Sequence, residues 1–284
     1  MNAKRTKMGM VSLLAGALLL IGAGFAQASV AYTMRFNDAQ TTSEFGSFDT
    51  GTQHYSAIST LPSYAIGLAY NPTNSLFYSQ DATTGKLFTI NQNGAYSTPF
   101  GADAGVYYGT AFNTDGSAFW GYDTSNDRFT RIDPATGVAT IVSGGNNYKM
   151  FAPGNLAYHQ GSLYGSGNFT GTGTSSNLFR FTNPTISADV EKIAYVNDYN
   201  LDYATYELFS DGTTLYGVNV DDSTLVTIDP TNGAWSSLGT IDTSLPFYGV
   251  AYAPAVVPEP STYALLCISL GVVGIARRKL RNTN

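Results

Sequence analysis

Few residues in this sequence are spaced for chemistry. Asp198-x-Asn200-x-Asp202 places three oxygen ligands at alternate positions, as a calcium loop can. Tyr203 stands where that motif needs glycine at its sixth position, and Phe209 where it needs glutamate at its twelfth. The triad is therefore an incomplete calcium loop, and a solvated acidic loop is the competing reading. Asp221-Asp222, beside Asn219, reads as a strand-connecting turn. Asp133-Pro134 and Asp229-Pro230 read as hairpin turns, in which Asp caps the turn and Pro presets φ. His54 lies in Thr52-Gln53-His54-Tyr55, on an expected outer strand, and His159 follows Ala157-Tyr158 at an expected turn. Neither has an Asp or Ser nearby in sequence for proton relay, and both are expected at the surface.

The exclusions are firmer. One cysteine, Cys267, rules out an intrachain disulfide framework and a cysteine-cluster metal site, and two histidines rule out a three-His centre. No Gly-x-Ser-x-Gly, Gly-rich phosphate loop or His-Glu-x-x-His occurs. No catalytic residue and no cofactor is expected, and no metal beyond the incomplete calcium triad. The many tyrosines could stack on sugar rings, although aromatic residues in a β-protein serve the core by default.

The elements that would position these residues are strands. In 284 residues only 12% are charged, against about 25% in a typical soluble domain, while there are 30 Gly, 20 Tyr and 16 Phe. Aromatic side chains suit a pleated surface, and Gly, Asn and Asp suit tight turns. Seven of the 14 basic residues lie at the two ends, and all 20 acids lie between those ends, so the middle carries a net charge of about −13. A surface of that sign repels phosphate backbones, which argues against nucleic acid as a partner.

The ends read as addresses. Lys4, Arg5 and Lys7 precede an apolar run over residues 8–25, and Ala26-Gln27-Ala28 supplies the small-x-small site of a signal peptidase. Residues 1–28 are therefore expected to be a cleaved signal peptide, with Ala26 and Ala28 at the cleavage site; a retained membrane helix is the alternative. At the other end, the apolar run 263–276 follows Pro258-Glu259-Pro260 and precedes Arg277, Arg278, Lys279 and Arg281. Fourteen residues at 1.5 Å rise cover about 21 Å, short of the roughly 30 Å hydrocarbon core. The run is expected to form one marginal transmembrane helix, with the basic cluster on the cytoplasmic side.

This order of Pro-Glu-Pro, short apolar segment and basic tail resembles the PEP-CTERM sorting signal of Gram-negative bacteria, over roughly the last tenth of the chain. The resemblance implies recognition by an exosortase, a membrane-embedded cysteine protease. It also implies cleavage near Pro258-Glu259-Pro260 and transfer to the cell surface or extracellular matrix. An ordinary C-terminal anchor with a chance Pro-Glu-Pro is the alternative.

The middle repeats. Gly67-Leu68-Ala69-Tyr70, Gly109-Thr110-Ala111-Phe112, Asn155-Leu156-Ala157-Tyr158 and Glu207-Leu208-Phe209 each lead to a second apolar strand and then a third. Tyr70, Phe112, Tyr158 and Phe209 follow one another at intervals of 42, 46 and 51 residues. A period near forty residues with short strands is that of a β-propeller blade. Gly249-Val250-Ala251-Tyr252 supplies a first strand with nothing after it, whereas residues 31–36 and 44–51 supply a second and third strand lacking a first. Joined, they make a fifth blade shared between the two ends.

The expected fold is thus all-β: a five-bladed propeller over residues 29–254 with N/C-terminal strand closure, followed by the sorting segment 255–284. Another all-β repeat, such as a sandwich, is the alternative. The blades resemble bacterial WD40-like, YVTN-like and lactonase-like propellers, although no Trp-Asp pair ends a strand. That group hosts enzymes and binding platforms alike. Its enzymes bring His, Glu or metal-binding acids to the channel, whereas here only Glu44, Glu191 and Glu207 precede the tail. The expected function is a non-catalytic surface or matrix protein that binds polysaccharide or another protein, linked to exopolysaccharide and biofilm. The alternative is an extracellular enzyme of the lactonase or streptogramin-lyase type.

Overall fold

Short runs of β-branched and aromatic residues, cut by Gly, Asn and Asp turns, favour strands throughout. Every regular element among the described residues is one. The computed structural model describes residues 29–36, 41–102, 105, 107–123, 128–144, 156–168, 176–182, 189–195, 206–243 and 246–254. The expected signal peptide and sorting segment lie outside these residues, as does the triad Asp198, Asn200 and Asp202. The chain divides into two units, Met1–Ala253 and Pro254–Asn284. Among the described residues no helix is long and apolar enough to cross a membrane.

Among the described residues nineteen strands occur, in the order β1 (Val30–Phe36), β2 (Ser43–Asp49), β3 (Tyr55–Leu61), β4 (Ala65–Asn71), β5 (Leu76–Asp81), β6 (Leu87–Ile90), β7 (Tyr107–Phe112), β8 (Phe119–Asp123), β9 (Arg128–Ile132) and β10 (Ala139–Gly144). There follow β11 (Leu156–His159), β12 (Ser162–Asn168), β13 (Ser176–Thr182), β14 (Asp189–Tyr195), β15 (Tyr206–Ser210), β16 (Leu215–Asn219), β17 (Thr224–Ile228), β18 (Trp235–Thr240) and β19 (Phe247–Tyr252). They form five sheets: β4-β5-β6, β7 to β10, β11 to β14, β15 to β18, and β19-β1-β2-β3. In the three-stranded sheet the outer place is filled by single bridges from Phe100 to Leu87 and from Tyr96 to Ile90.

The innermost strands touch in a ring, β4 to β7 to β11 to β15 to β19 and back to β4. That closed circle of five blades is a five-bladed propeller. Its closing blade is the shared one expected from sequence: β19, from the C-terminal side, pairs antiparallel with β1, with Ala31 opposite Tyr252 and Thr33 opposite Val250.

The core lies between blades. Ala111, Trp120 and Phe129 of one blade meet Leu156, Leu163 and Phe179 of the next. Across the closing seam, Met34, Phe45 and Leu61 meet Leu68, Phe77 and Ile90. Burying each such Leu or Phe contributes about 1.5–3 kcal/mol, so every interface holds its neighbour in place. The Asp-Pro turns form as expected. Asp133 accepts the Ala135 N–H at 2.8 Å and Asp229 accepts the Thr231 N–H at 2.8 Å. The Ala135 N–H at Asp133, and the Thr231 hydroxyl followed by its N–H at Asp229, hold both carboxyls below their ordinary range.

Strand pairing corrects one sequence alignment. Tyr158 lies opposite Leu163 and Phe112 opposite Phe119, but it is Ser210, not Phe209, that lies opposite Leu215. The fourth blade is thus offset by one residue, which turns Phe209 to the face that Ala111 and Ala157 occupy elsewhere. Phe209 fills that face by stacking on Tyr216 at 4.9 Å and meeting Phe48 of the closing blade edge-on at 5.9 Å.

Candidate functional site

Residues of all five innermost strands line a central cavity of about 70 Å³. Tyr70, Phe112, Tyr158 and Tyr252 stand at one level of its wall, and Ser210 takes the fifth place. Ligand pockets usually measure about 300–1,000 Å³, so this cavity takes a few waters or the tip of a larger ligand.

The offset that puts Ser210 in the wall also brings it to a histidine. His159, the last residue of β11, holds its Nδ1 2.8 Å from the Ser210 Oγ. His159 is buried, 2% exposed, and so is not the surface residue expected from sequence. The chain turns back at once through Gln160-Gly161, and β15 covers the imidazole from the next blade. Burial holds His159 below the ordinary imidazole range, against the opposing pull of Asp211. Ser210 Oγ also accepts the Gly212 N–H at 3.0 Å, which leaves its own proton for His159. Burial acts to raise Asp211, but the N–H groups of Thr214 and Thr213 and the hydroxyls of Thr213 and Tyr216 hold it below the usual range. Its carboxylate is spent on Thr213, Thr214 and Tyr216 rather than on the imidazole.

His54 is exposed, as expected, and stands one residue before the outer strand β3. Its Nδ1 is 2.7 Å from Asp242 Oδ2, and Asp242 also accepts the Tyr55 N–H. Asp242 lies in the crossover that leads to β19, so this pair clips the closing blade to its neighbour. Inside the same blade, Arg35 lies 3.4 Å from Glu44, covers the Tyr55 ring at 4.2 Å and donates to Thr243 Oγ1. Tyr55 donates to Glu44 at 2.7 Å, and burial, then this bond, pushes the phenol well above its ordinary value. Gly46 makes room for that ring: a Cβ there would run into Tyr55 Oη, Cζ and Cε2.

Asp221 and Asp222 lie in a turn as expected, with Asn219 accepting the Asp221 N–H at 2.9 Å and Asp222 accepting the Thr224 N–H at 2.9 Å. They line a second, wider pocket of about 360 Å³ with Thr243, Pro246 and Tyr248. Glu207, to which the sequence assigns a strand but no role, is pushed by burial far above the ordinary carboxyl range. The available signal was a glutamate on an innermost strand at the level where Gly67, Gly109 and Gly249 stand on others. Ala26, Ala28, Pro258, Glu259, Pro260, Arg277, Arg278, Lys279 and the triad Asp198, Asn200 and Asp202 all lie outside the described residues, and the fold does not test them. Among the described residues no three His, Cys, Asp or Glu side chains converge as a metal cluster would.

Residues 256–281 match the PEP-CTERM protein-sorting motif. No curated protein matches the chain. Among solved structures, the fold is similar to a chain of a nidogen/laminin complex, with a TM-score of 0.52 and 12% identity, over 80% of this chain and 86% of that one. It is also similar to TolB from Acinetobacter baumannii, with a TM-score of 0.49 and 13% identity, over 75% of this chain and 53% of that one. At such identities the likeness concerns the fold alone. The sorting motif implies export, a C-terminal membrane anchor and processing by an exosortase.

Proposed function

We propose that the protein is cut by signal peptidase after Ala28, held by its C-terminal segment, and cut again by an exosortase near Pro258-Glu259-Pro260. It then passes to the cell surface or extracellular matrix of a Gram-negative bacterium, where the propeller is a non-catalytic binding platform for polysaccharide or another protein. The observation that carries this reading is the sorting motif at residues 256–281, which begins two residues after Pro254 at the end of the propeller. Support for the platform comes from the channel, whose wall carries Tyr70, Phe112, Tyr158 and Tyr252 at one level and whose cavity of about 70 Å³ is too small to enclose a substrate. Deleting the gene should reduce matrix retention or flocculation, and the wild-type gene should restore it. A deletion strain with unchanged matrix and aggregation would overturn the platform reading.

A second reading is favoured by one observation. Ser210 and His159 form a hydroxyl–imidazole pair beside the cavity, as a serine nucleophile and its base would. The missing part is an orienting carboxylate, because Asp211 is engaged elsewhere. Covalent labelling of Ser210 by a fluorophosphonate would favour the enzyme; an unlabelled Ser210 favours a structural tie between β11 and β15.

A further inference from the structure

We propose that Glu207 is the charged ligand of a calcium site within the ring of innermost strands. Glu207 is the second residue of β15 and is 1% exposed. Neither of its carboxylate oxygens has a hydrogen-bond partner among the described residues, and no ion pair there includes it. A buried carboxyl without donors is costly, and such a group in a folded protein calls for an ion, a water or a function.

The surroundings favour an ion. Leu208 lies opposite Gly217 as Thr110 lies opposite Gly121, so Glu207 takes the place of Gly109 on β7. Tyr70 lies opposite Phe77 as Phe112 lies opposite Phe119, so Gly67 holds that place on β4; Gly249 holds it on β19 by the shared Gly-x-Ala-Tyr run. On these three glycine-bearing strands the regular pairing breaks at this level: between Ile66 and Ala69, between Tyr107 and Gly109, and opposite Thr33 and Arg35. On β15 it does not, and Glu207 stays paired with Val218. Bulges take backbone groups out of the ladder and re-aim them.

The strands also come close here. A Cβ on Gly67 would lie 3.1 Å from the Tyr107 carbonyl oxygen, and one on Gly249 would lie 2.8 Å from the Gly67 backbone. Glu207 therefore stands on the inner ring at the level where three of the strands bulge, β19 beside its own strand among them, and among the described residues no side-chain cation is paired with it. Arg35 is committed to Glu44, Tyr55 and Thr243. A carboxylate with backbone carbonyls and water is the donor set of a hard cation. Calcium tolerates irregular oxygen coordination of this kind, whereas magnesium demands a near-ideal octahedron. With a single charged ligand, the affinity belongs in the weak class typical of extracellular modules, Kd on the order of 10⁻⁴–10⁻³ M.

The test is thermal unfolding of the full chain in detergent, stripped with EDTA and then given millimolar calcium or magnesium chloride. The wild type should gain several degrees with calcium and little with magnesium, since binding to the folded state stabilises it by mass action. Glu207→Gln keeps the shape, folds without metal and should lose the calcium-dependent gain. Asp198→Asn/Asp202→Asn should keep it. An unchanged wild-type Tm with calcium overturns the site, as does a gain that survives in Glu207→Gln. A gain lost only in the Asp198→Asn/Asp202→Asn protein assigns calcium to that loop and also overturns it.

Discussion

Thr33 and Val250 face one another across the antiparallel join of β1 and β19, so the last described strand is the innermost strand of the blade that the first strands build. Among the described residues the ring has no other closure. Without β19, the Ala31, Phe48 and Phe209 side chains that meet Phe247 and Val250 lose those neighbours, β1 becomes an open edge, and β4 loses its neighbour in the ring. Truncation before Phe247 should therefore give an aggregating protein with no cooperative thermal transition. A truncated chain as soluble and as stable as the full one would refute the closure.

Gly46 and Tyr55 test the packing inside that blade. Gly46→Ala puts a methyl where Tyr55 lies, so the ring must leave Glu44 and Arg35. The expected loss is about 1–3 kcal/mol, as for other overpacked sites, read as a lower Tm. In a Tyr55→Ala background the same change should cost much less, and the cycle should show a coupling above about 0.5 kcal/mol. Equal losses in the two backgrounds would contradict the contact.

These contacts separate what the sequence discloses from what it hides. The blades were legible because each hairpin carries its own turn residues, such as Asp115-Gly116 and Gln160-Gly161, between apolar runs. Closure was legible because Gly249-Val250-Ala251-Tyr252 has no second strand of its own and residues 31–36 have no first. The register of the fourth blade was not. Phe209 looks like the counterpart of Tyr158, and only pairing with Leu215 shows that Ser210 is. The two histidine pairs were hidden for a simpler reason: their partners are 188 and 51 residues away. Glu207 carried no local motif, and its burial follows only from the strand it shares.

Glu207 also sets a pH dependence, best measured in EDTA. Its folded value is raised above the ordinary 4.5, so the folded state holds the proton longer than the unfolded chain does. Stability is then fully present below about pH 4.5 and is lost as pH rises from there toward the folded value. Glu207→Gln lacks this loss. Its stability relative to wild type should grow as pH is raised from 4 to 8, by chemical denaturation at each pH, and a pH-independent difference would contradict a buried acid.

His159 works in the opposite sense. Its folded value is lowered from 6.5, so the unfolded chain takes the proton first and stability falls as pH drops below about 6.5. Ser210→Ala removes one hydrogen bond to the imidazole and should cost about 1 kcal/mol. His159→Gln should flatten the acid limb of the stability curve. An unaltered acid limb in His159→Gln would show that other groups govern it.

The central claim is that anchoring is temporary and that Pro258-Glu259-Pro260 directs its end. Changing these three residues to alanine leaves every described strand intact, because the last of them ends at Tyr252. The altered protein should therefore fold and be exported, but stay in the inner membrane with its tail attached. Replacing Arg277, Arg278 and Lys279 should instead loosen the orientation, because the cytoplasmic positive charge is removed. The direct measurement is mass spectrometry of the C-terminus in surface and membrane fractions from a host with an exosortase. The account predicts surface protein that ends near Pro258-Glu259-Pro260 for the wild type, and a membrane form that keeps Arg281 for the alanine variant. Wild-type surface protein that still carries Arg281, or an alanine variant processed as efficiently as wild type, would contradict it.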